Sequence, residues 1–440
     1  MAVAMAPGIL PLTADVGADH HLTIGGCDTV ELARQYGTPL YVYDEATIRA
    51  RCREYRSAIE SVYRDALVLY ASKAFSSPML LQIVDQEGLG LDVVSGGELY
   101  VAVSVGFPLE KVYFHGNNKS PDELAMALEH GVGRIVVDSF YELELLDELA
   151  RRRGKRQPIL LRLSPGVEAH THDFRKTGIL DSKFGFPIST GQAEEAVKRA
   201  VGANGVDLLG YHCHIGSQIF ELEPYVETTR IAFEFASRMR QRYGVELREY
   251  SPGGGWGVAY TAEDDPWPIG EIVSQVGHSL EQEAARHGLG RPRMVIEPGR
   301  SIVAQAGVAL YSIGAIKRIP EVRTYVSVDG GMADNIRPAI YGAAYDALVA
   351  NKADAARSET VTIAGKYCES GDLLIKDIAL PPLHSGDVLA LPTSGAYNLA
   401  MASNYNQALK PAVVLVNDGQ ARLMRRRQTF EDLLIGEERL

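Results

Sequence analysis

The sequence predicts an α/β protein of two domains, a (β/α)8 TIM barrel and a second, mostly β domain. A chain of 440 residues exceeds what one hydrophobic core usually holds. From about residue 66 to residue 298, short apolar runs alternate with longer amphipathic stretches, the pattern of strand–helix units in a parallel sheet. After Ala306 the apolar runs become β-like, with turn signals between them. We therefore expect the barrel over residues 46–304 and the β-rich domain over residues 1–45 and 305–440.

Eight apolar runs are the expected barrel strands. They are ALVLYAS (66–72), LGLDVVS (89–95), KVYFHG (111–116), RIVVDS (134–139), PILLRLS (158–164), LLGYHCHIGS (208–217), LREYSPG (247–253) and RMVIEPG (293–299). The runs end in residues that a buried strand would not choose, namely Lys73, Asp92, His115, Asp138, Arg162, His214, the glycines 253–255 and Glu297. Because barrel enzymes build their sites from the carboxyl ends of several strands, these positions predict one shared rim. An open doubly wound sheet would instead concentrate them at a switch point.

Five later runs are the expected strands of the β-rich domain. They are VALYSIGAI (308–316), TYVSVDGG (324–331), ETVTIAG (359–365), DVLALP (387–392) and AVVLVNDG (412–419). The strand PLYVYD (39–44) precedes the barrel and cannot be its ninth strand, so we expect it to join this second sheet.

Composition excludes several functions. A net charge of −12 argues against a nucleic-acid partner, and the basic run 425–427 is expected to be a solvated face. Four scattered cysteines suit a reducing compartment. The first twelve residues lack the basic region of a signal peptide, and no apolar run approaches the length of a membrane helix. We expect a cytoplasmic enzyme.

The tetrapeptide Glu297-Pro298-Gly299-Arg300 places a carboxylate and a guanidinium three residues apart after an apolar strand. Such a carboxylate can keep a ring nitrogen protonated, while the arginine binds an anion. Lys73 also follows a strand, where partial desolvation lowers the pKa of an amine and suits it to Schiff-base formation. Considered separately, Glu297 and Arg300 would be interpreted as a salt bridge, and Lys73 as an ordinary lysine at the end of a strand. Together they predict a site for pyridoxal 5'-phosphate.

Glycines and a serine supply the expected phosphate contacts. Gly253, Gly254 and Gly255 follow a strand, so their backbone amides can form an anion-binding nest. Ser217 and Arg300 can complete these contacts. A triple glycine alone is more often a tight turn.

Two histidines are expected on one face of a single strand. His212 and His214 alternate, with Cys213 on the other face. One of the two is expected to stack on the cofactor ring, although either alone could be a core residue. Zinc is the rival interpretation, but the sequence shows no HExxH motif and no further ligands at metal spacing, so we expect no metal.

The β-rich domain carries three polar motifs. They are RPAIY (337–341), CESGD (368–372) and GAYNLAMASNYN (395–406). The Cys368 thiol can protonate a carbanion, and Glu369 can hold an ammonium group. Arg337 suits bidentate binding of a carboxylate. Considered separately, Cys368 would be interpreted as an inert buried cysteine, and Arg337 as part of a surface ion pair.

Ten ordered motifs resemble the fold-type III pyridoxal phosphate decarboxylases and, among them, the diaminopimelate decarboxylases. They are YASKAF, LDVVSGGEL, FHGNNKS, PGVEAHTHDFRKTG with SKFGF, HCHIGSQ, GGGWGVAY, EPGRSIVAQAG, RPAIYGAAY, CESGD and GAYNLAMASNYN. Three residues depart from the family pattern: Lys410 replaces an arginine, Trp256 a leucine and Ser164 an asparagine. None of the three has an expected catalytic role.

The resemblance implies a role for each site residue. Lys73 would carry the cofactor covalently, Glu297 would hold its ring nitrogen, and Cys368 would donate a proton. The implied cofactor contacts are Lys73, Asp92, His214, Ser217, Gly254, Gly255, Glu297, Pro298, Gly299, Arg300 and Tyr397. The implied substrate contacts are Arg300, Arg337, Tyr341, Glu369 and Tyr397. The resemblance also implies a homodimer in which Cys368 and Glu369 complete the active site of the neighbouring subunit.

The implied activity is decarboxylation of meso-2,6-diaminoheptanedioate to L-lysine and carbon dioxide, the last step of lysine biosynthesis. Relatives acting on ornithine, arginine or carboxynorspermidine are the nearest alternative, but a substrate without a distal carboxylate would leave Arg337 unpaired. An alanine racemase typically places an arginine at the ring nitrogen, where this chain has Glu297. A non-catalytic cofactor-binding regulator usually lacks the lysine or the acid, and both are present here.

Overall fold

The computed structural model describes residues 8–167 and 182–440 and divides into two compact units. The barrel unit comprises Arg51–Gly257 and Pro266–Gly299, and the β-rich unit comprises Met1–Ala50, Val258–Asp265 and Arg300–Leu440. The greater part of the motif PGVEAHTHDFRKTG lies outside the described residues.

The strands and helices are numbered here in chain order. The strands are β1 (Asp15–Val16), β2 (Leu22–Ile24), β3 (Cys27–Asp28), β4 (Leu40–Asp44), β5 (Ala66–Ala71), β6 (Gly90–Val93), β7 (Val112–Phe114), β8 (Arg134–Val137), β9 (Gln157–Ser164), β10 (Phe186–Pro187), β11 (Val206–Cys213), β12 (Glu249–Gly253), β13 (Arg293–Ile296), β14 (Gly307–Ile319), β15 (Arg323–Val328), β16 (Leu348–Val349), β17 (Glu359–Ala364), β18 (Leu373–Leu380), β19 (Val388–Leu391), β20 (Ala412–Asn417) and β21 (Gln420–Arg425). The helices are α1 (Thr29–Tyr36), α2 (Glu45–Val62), α3 (Pro78–Gln86), α4 (Gly96–Ser104), α5 (Pro121–His130), α6 (Phe140–Arg152), α7 (Gln192–Gly202), α8 (Glu223–Tyr243), α9 (Ile269–Arg286), α10 (Arg300–Val303) and α11 (Arg337–Tyr341).

Eight parallel strands close the barrel. Their order is β5-β6-β7-β8-β9-β11-β12-β13, and β13 pairs with β5 to complete the circle. The short strand β10 adds to β9 at its carboxyl end. All eight predicted runs form these strands, which confirms the TIM barrel. Most of these runs are largely apolar because a barrel strand is buried on both sides, by the interior and by the outer helices.

Serine caps start several outer helices directly after a strand. Ser95, Ser120 and Ser139 are the N-cap residues of α4, α5 and α6. Each serine side chain accepts a hydrogen bond from the backbone amide three residues later. In all three the residue at that third position is a glutamate, and at α5 Glu123 completes a capping box with Ser120. These caps fix the loops at the carboxyl ends of the strands, where the polar strand-end residues lie.

The barrel interior is packed with side chains and is not a pore. Leu69, Tyr113, Val136, Leu160, Leu209 and Val295 form one buried cluster contributed by six strands. Such a layer of large apolar side chains fills the centre of a barrel and leaves the carboxyl end of the strands for chemistry.

The main sheet of the β-rich unit includes a strand from the start of the chain. Its order is β18-β17-β15-β14-β4-β20-β21, with β19 also paired to β14 and β16 to β19. β4 lies antiparallel to β14 and parallel to β20, so PLYVYD joins this sheet as predicted. Alternate residues such as Val42, Leu310, Ala390 and Val414 face one hydrophobic core.

The sequence missed the strands that are poorly patterned. β18 has a mixed burial pattern and register shifts, and β21 has no buried residue, so neither shows a clean apolar run. The expectation that residues 425–427 form a solvated face is wrong for Arg427, which is half-buried and donates to the carbonyl oxygens of Pro39 (2.6 Å) and Tyr36 (3.4 Å). Its neighbour Arg426 is exposed and pairs with Asp432.

Within the described ranges, no helix combines the length and the apolar composition that crossing a membrane requires.

Candidate active site

The carboxyl ends of the barrel strands surround one cavity of about 340 Å³. It is lined by Lys73, Val94, His115, Gly116, Asn117, Arg162, Phe184, His212, His214 and Glu297. Five of these are strand-end residues singled out from the sequence. Two others, Asp92 and Asp138, lie within ion-pair distance of the lining residues Lys73 and Arg162. The barrel unit therefore gathers on one rim groups that are far apart in the chain.

Glu297 is a buried carboxylate held by three side chains. It accepts hydrogen bonds from His212 Nε2 (3.1 Å) and Ser251 Oγ (2.8 Å), and His115 Nε2 lies 3.5 Å away. Burial alone would raise its pKa, but the neighbouring imidazoles of His212 and His115 outweigh burial and lower the pKa to about 2. The carboxylate is ionised at physiological pH, as holding a protonated ring nitrogen requires.

Pro298 and Gly299 attach the segment after Glu297 to the strand that leads to Lys73. The carbonyl oxygen of Pro298 accepts a hydrogen bond from the Ala71 amide (3.1 Å). A Cβ added at Gly299 would meet the Cβ of Ala71 at 2.9 Å and its carbonyl oxygen at 3.0 Å. The close approach keeps the acid and the lysine on adjoining segments.

Lys73 lies in a single helical turn directly after β5. Its Nζ donates to Asp92 Oδ2 at 3.3 Å, and the lysine side chain is 38% exposed while the Asp92 side chain is fully buried. The other Asp92 oxygen lies 3.7 Å from His115 Nε2. The amine thus has both an anionic partner and access to the cavity.

His212 and His214 both line the cavity, as expected for residues on one face of β11 and its extension. Burial holds the pKa of His214 well below its ordinary value, and the neighbouring cations Lys73 and Arg162 lower it further. A neutral imidazole is suited to lie against a flat aromatic ring. Cys213 lies between the two histidines, and burial raises the pKa of its thiol to about 12, so this cysteine is inert.

The triple glycine packs directly on the backbone of the neighbouring segments. Gly253 and Gly255 have φ of 79° and 101°, in the region that favours glycine. A Cβ at Gly254 would lie 2.0 Å from the carbonyl oxygen of Glu297, and one at Gly255 would lie 2.1 Å from that of Gly216. The structure therefore brings the glycines next to Glu297 and to the segment of Ser217, which follows Gly216.

Two residues that line the cavity, Arg162 and His115, were predicted as strand-end residues without a chemical role. Arg162 is buried in β9 with its guanidinium 3.6 Å from Asp138 and 4.2 Å from the centre of the Phe184 ring. His115 forms an edge-to-face contact with His212, with ring centres 4.8 Å apart. Their position at strand ends was the only signal in the sequence.

The fold supplies a third possible metal ligand that the sequence did not reveal. The sequence offered no third ligand beside the two histidines, but His115, His212 and Glu297 place one ligand atom each within 4.8 Å of one another. The third member comes from a distant strand, so spacing along the chain could not reveal it. Lys73 lines the same cavity, and its ammonium disfavours a divalent cation there.

Two buried arginines of the β-rich unit share one aromatic cluster. Arg300 begins α10 and donates to the Tyr260 hydroxyl at 2.6 Å, with its guanidinium 4.7 Å from the Tyr397 ring. Arg337 begins α11, is 2% exposed, donates to the Tyr345 hydroxyl and lies 4.4 Å from the Tyr260 ring. The sequence did not single out Tyr260 or Tyr345, although they lie in the motifs GGGWGVAY and RPAIYGAAY.

Arg337 is not part of a surface ion pair. Among residues 8–167 and 182–440, no carboxylate lies within ion-pair distance of its guanidinium. A buried cation without an anionic partner is strongly unfavourable, so this position is suited to an anion that a ligand brings. Tyr341, at the other end of α11, is half-buried.

Cys368 and Glu369 are exposed on the β-rich unit. The Cys368 amide donates to Asn406 Oδ1 (3.0 Å), and the Tyr405 hydroxyl donates to the Cys368 carbonyl oxygen (3.4 Å). The adjoining Asp372 is buried and accepts from the amides of Met332 (2.7 Å) and Tyr367 (2.9 Å). The alternative of an inert buried cysteine at position 368 is therefore wrong.

The donor set of the cavity fits pyridoxal 5'-phosphate. The barrel unit offers an amine at Lys73, an ionised carboxylate at Glu297 and a neutral imidazole at His214, around a volume in the range of small-molecule sites. A family model described as the pyridoxal binding domain of pyridoxal-dependent decarboxylases matches residues 45–304, more than half of the chain. The chain belongs to the pyridoxal-dependent decarboxylases, and pyridoxal 5'-phosphate is its cofactor.

Within that family, the chain is similar to diaminopimelate decarboxylases. The Bacillus methanolicus enzyme is 51% identical over 416 residues, covering 94% of this chain and 96% of that protein. The Bacillus subtilis (strain 168) enzyme is 51% identical over 414 residues, covering 94% of each. The crystal structure of diaminopimelate decarboxylase from M. jannaschii in co-complex with L-lysine aligns with a TM-score of 0.91 at 34% identity, over 98% of both chains. The resemblance drawn from the ten motifs is confirmed.

Proposed function

We propose that this chain catalyses the decarboxylation of meso-2,6-diaminoheptanedioate to L-lysine and carbon dioxide, the last step of lysine biosynthesis. The buried guanidinium of Arg337 carries this proposal. It is 2% exposed and has no carboxylate partner within the described residues, so it is suited to the distal carboxylate of a substrate. Ornithine has no such group. The M. jannaschii relative was crystallised with L-lysine, the product of this reaction.

The residues of the barrel unit are proposed to bind and orient the cofactor. When bound, pyridoxal phosphate supplies an electron sink for the electron pair that a departing carboxylate leaves behind. Lys73, whose amine pairs with Asp92, would hold the cofactor covalently. The ionised Glu297 would keep the ring nitrogen protonated, and the neutral His214 would lie against the ring.

The remaining site residues are assigned by their chemistry. Ser217, Gly254 and Gly255 are proposed to contact the phosphate, with Pro298 and Gly299 shaping the segment beside them. Arg300 and Tyr397 are proposed for both cofactor and substrate contacts. Tyr341, Glu369 and Arg337 are proposed for the substrate alone, and Cys368 for protonation of the carbon that loses carbon dioxide.

We also propose a homodimer with shared active sites. In this arrangement residues 46–304 bind the cofactor, while residues 1–45 and 305–440 complete the active site of the partner subunit. The exposure of Cys368 and Glu369 supports this assignment, since exposed side chains are available to a second chain. All four cysteines are free, which supports a cytoplasmic location.

A substrate panel tests the proposed function. Purified protein loaded with pyridoxal phosphate is assayed for carbon dioxide release with meso-diaminopimelate, L-ornithine, L-arginine and carboxynorspermidine. We expect kcat/KM for diaminopimelate to exceed the others by at least about 100-fold, because the rival substrates leave buried polar groups unpaired. Faster turnover of any rival, or no turnover by protein that has bound the cofactor, would refute the proposal.

A further inference from the structure

Lys119 and Glu142 form a buried ion pair near the wall of the cavity. Their side chains are 1% and 2% exposed, and Nζ lies 2.7 Å from Oε1. Lys119 follows β7 just before α5, and Glu142 lies in the first turn of α6. Neither residue lines the cavity itself.

The Lys119 ammonium binds the backbone at the carboxyl ends of two adjacent strands, β7 and β8. It donates to the carbonyl oxygens of Gly116 (2.9 Å) and Val136 (2.8 Å), as well as to Glu142 (2.7 Å). These three acceptors match the three protons of the ammonium group. Gly116 lines the cavity, and Val136 belongs to β8, so one amine fixes the backbone at both places.

Glu142 extends the network to a third strand. Its second oxygen accepts from the Asp138 amide (3.0 Å), and the Asp138 carboxylate accepts from the Gly185 amide (2.8 Å) and lies 3.6 Å from Arg162. Arg162 and Phe184, which precedes Gly185, both line the cavity. The carboxyl ends of β7, β8 and β9 and the loops after them are therefore connected by one continuous network of hydrogen bonds and ion pairs.

Stability alone does not account for this pair. A buried lysine–glutamate pair contributes little net stability, because the loss of hydration offsets the mutual attraction, and apolar residues of similar volume often serve as well. What apolar residues could not supply is the set of hydrogen bonds to Gly116, Val136 and Asp138. The chemistry of the pair therefore suits positioning of the cavity wall.

We propose that Lys119 and Glu142 are positioning residues that hold the cavity wall in the shape that binds pyridoxal 5'-phosphate. The inference rests on the proposed function, in which this cavity is the cofactor site. It predicts that removing the pair weakens cofactor binding even though neither side chain touches the cofactor.

The test compares Lys119→Met with a matched control in the same barrel. The buried Glu249 and the partly buried Arg134 form a second ion pair (3.1 Å) at the opposite, amino-terminal ends of β12 and β8, so Glu249→Gln disturbs an ion pair of the same barrel away from the cavity. The Kd for pyridoxal phosphate is measured by spectrophotometric titration of each apoprotein, alongside its thermal unfolding. We expect Lys119→Met to raise the Kd at least 10-fold and Glu249→Gln to change it less than twofold.

Two further measurements keep the outcomes distinct. If Lys119→Met does not fold, the double variant Lys119→Met/Glu142→Leu, which leaves no unpaired buried charge, should show the same increase in Kd. A Kd within twofold of the wild type in the foldable variant would overturn the inference while leaving the proposed function intact. Failure of the wild-type chain to bind pyridoxal phosphate would instead defeat the proposed function on which it rests.

Discussion

The sequence was enough to identify Glu297 and Lys73 as candidate site residues, but not to identify the contacts that they make. Both were recognisable because each is a charged residue directly after an apolar strand, where a buried strand would not place it. The partners that set their properties were not recognisable. Asp92, which pairs with Lys73, lies on the next strand along the chain. His115 and His212, which depress the pKa of Glu297, lie on strands that are far from it in the chain. Only closure of the barrel brings them together.

Replacing Glu297 with glutamine should separate its charge from its shape. We expect Glu297→Gln to bind pyridoxal phosphate but to lose about 100-fold or more in kcat, because the preorganised negative charge at the ring nitrogen is gone. Steady-state kinetics with the cofactor content measured by absorbance provide the check. A kcat within twofold of the wild type would mean that Glu297 does not hold the ring nitrogen.

The same variant should change how acid affects stability. The pKa of Glu297 is about 2 in the folded chain, against an ordinary value of 4.5. A lowered carboxyl pKa stabilises the fold above pH 4.5, and this contribution is lost as the pH falls from 4.5 towards 2. The free energy of unfolding should therefore fall less in Glu297→Gln than in the wild type over that range. Equal losses would contradict the assigned pKa.

At the scale of elements, the strands were predictable wherever burial was uniform. The barrel strands and β4 are apolar on both faces or nearly so, and each stands out as a run. β18 and β21 do not stand out, because exposed and buried residues are mixed along β18 and no residue of β21 is buried. The contacts of the triple glycine were predictable only in part. The sequence indicated a close backbone approach but not that the backbone of Glu297 is what the glycines contact.

The glycine segment should tolerate no side chain at position 254. Gly254→Ala would place a Cβ 2.0 Å from the Glu297 carbonyl oxygen, so we expect a loss of about 1–3 kcal/mol in stability and weaker cofactor binding. The matched control is Gly270→Ala, at an exposed position in α9 with open space around it, which should be neutral or slightly stabilising. Urea unfolding and cofactor titration distinguish the two. Identical behaviour of both variants would contradict the packing described for residues 253–255.

At the scale of the whole molecule, the order of motifs predicted the family, while the arrangement of chains stays a proposal. Arg337 illustrates the limit. Its sequence allowed either a surface ion pair or a carboxylate receptor, and only its burial without an acidic partner among the described residues separates the two. For Cys368 the limit is different: it is exposed on a single chain, and its proposed role requires a second chain to cover it.

Mixing two inactive variants should restore activity if the sites are shared. Lys73→Ala and Glu369→Ala are each expected to be nearly inactive alone. In a mixed dimer, one site would combine Lys73 of one chain with Glu369 of the partner subunit and so be intact. After unfolding and refolding together in equal amounts, half of the dimers are mixed, so about a quarter of the wild-type activity should return. Mixtures that stay inactive, while refolded wild type recovers, would rule out shared sites.

The proposed decarboxylase depends on covalent attachment of pyridoxal 5'-phosphate to Lys73. Reduction of the loaded protein with borohydride, followed by peptide mapping, tests it most directly. We expect a stable pyridoxyl group on the peptide that contains Lys73, and no such adduct in Lys73→Ala. An adduct on another lysine, or release of carbon dioxide from diaminopimelate by Lys73→Ala at the wild-type rate, would contradict the account.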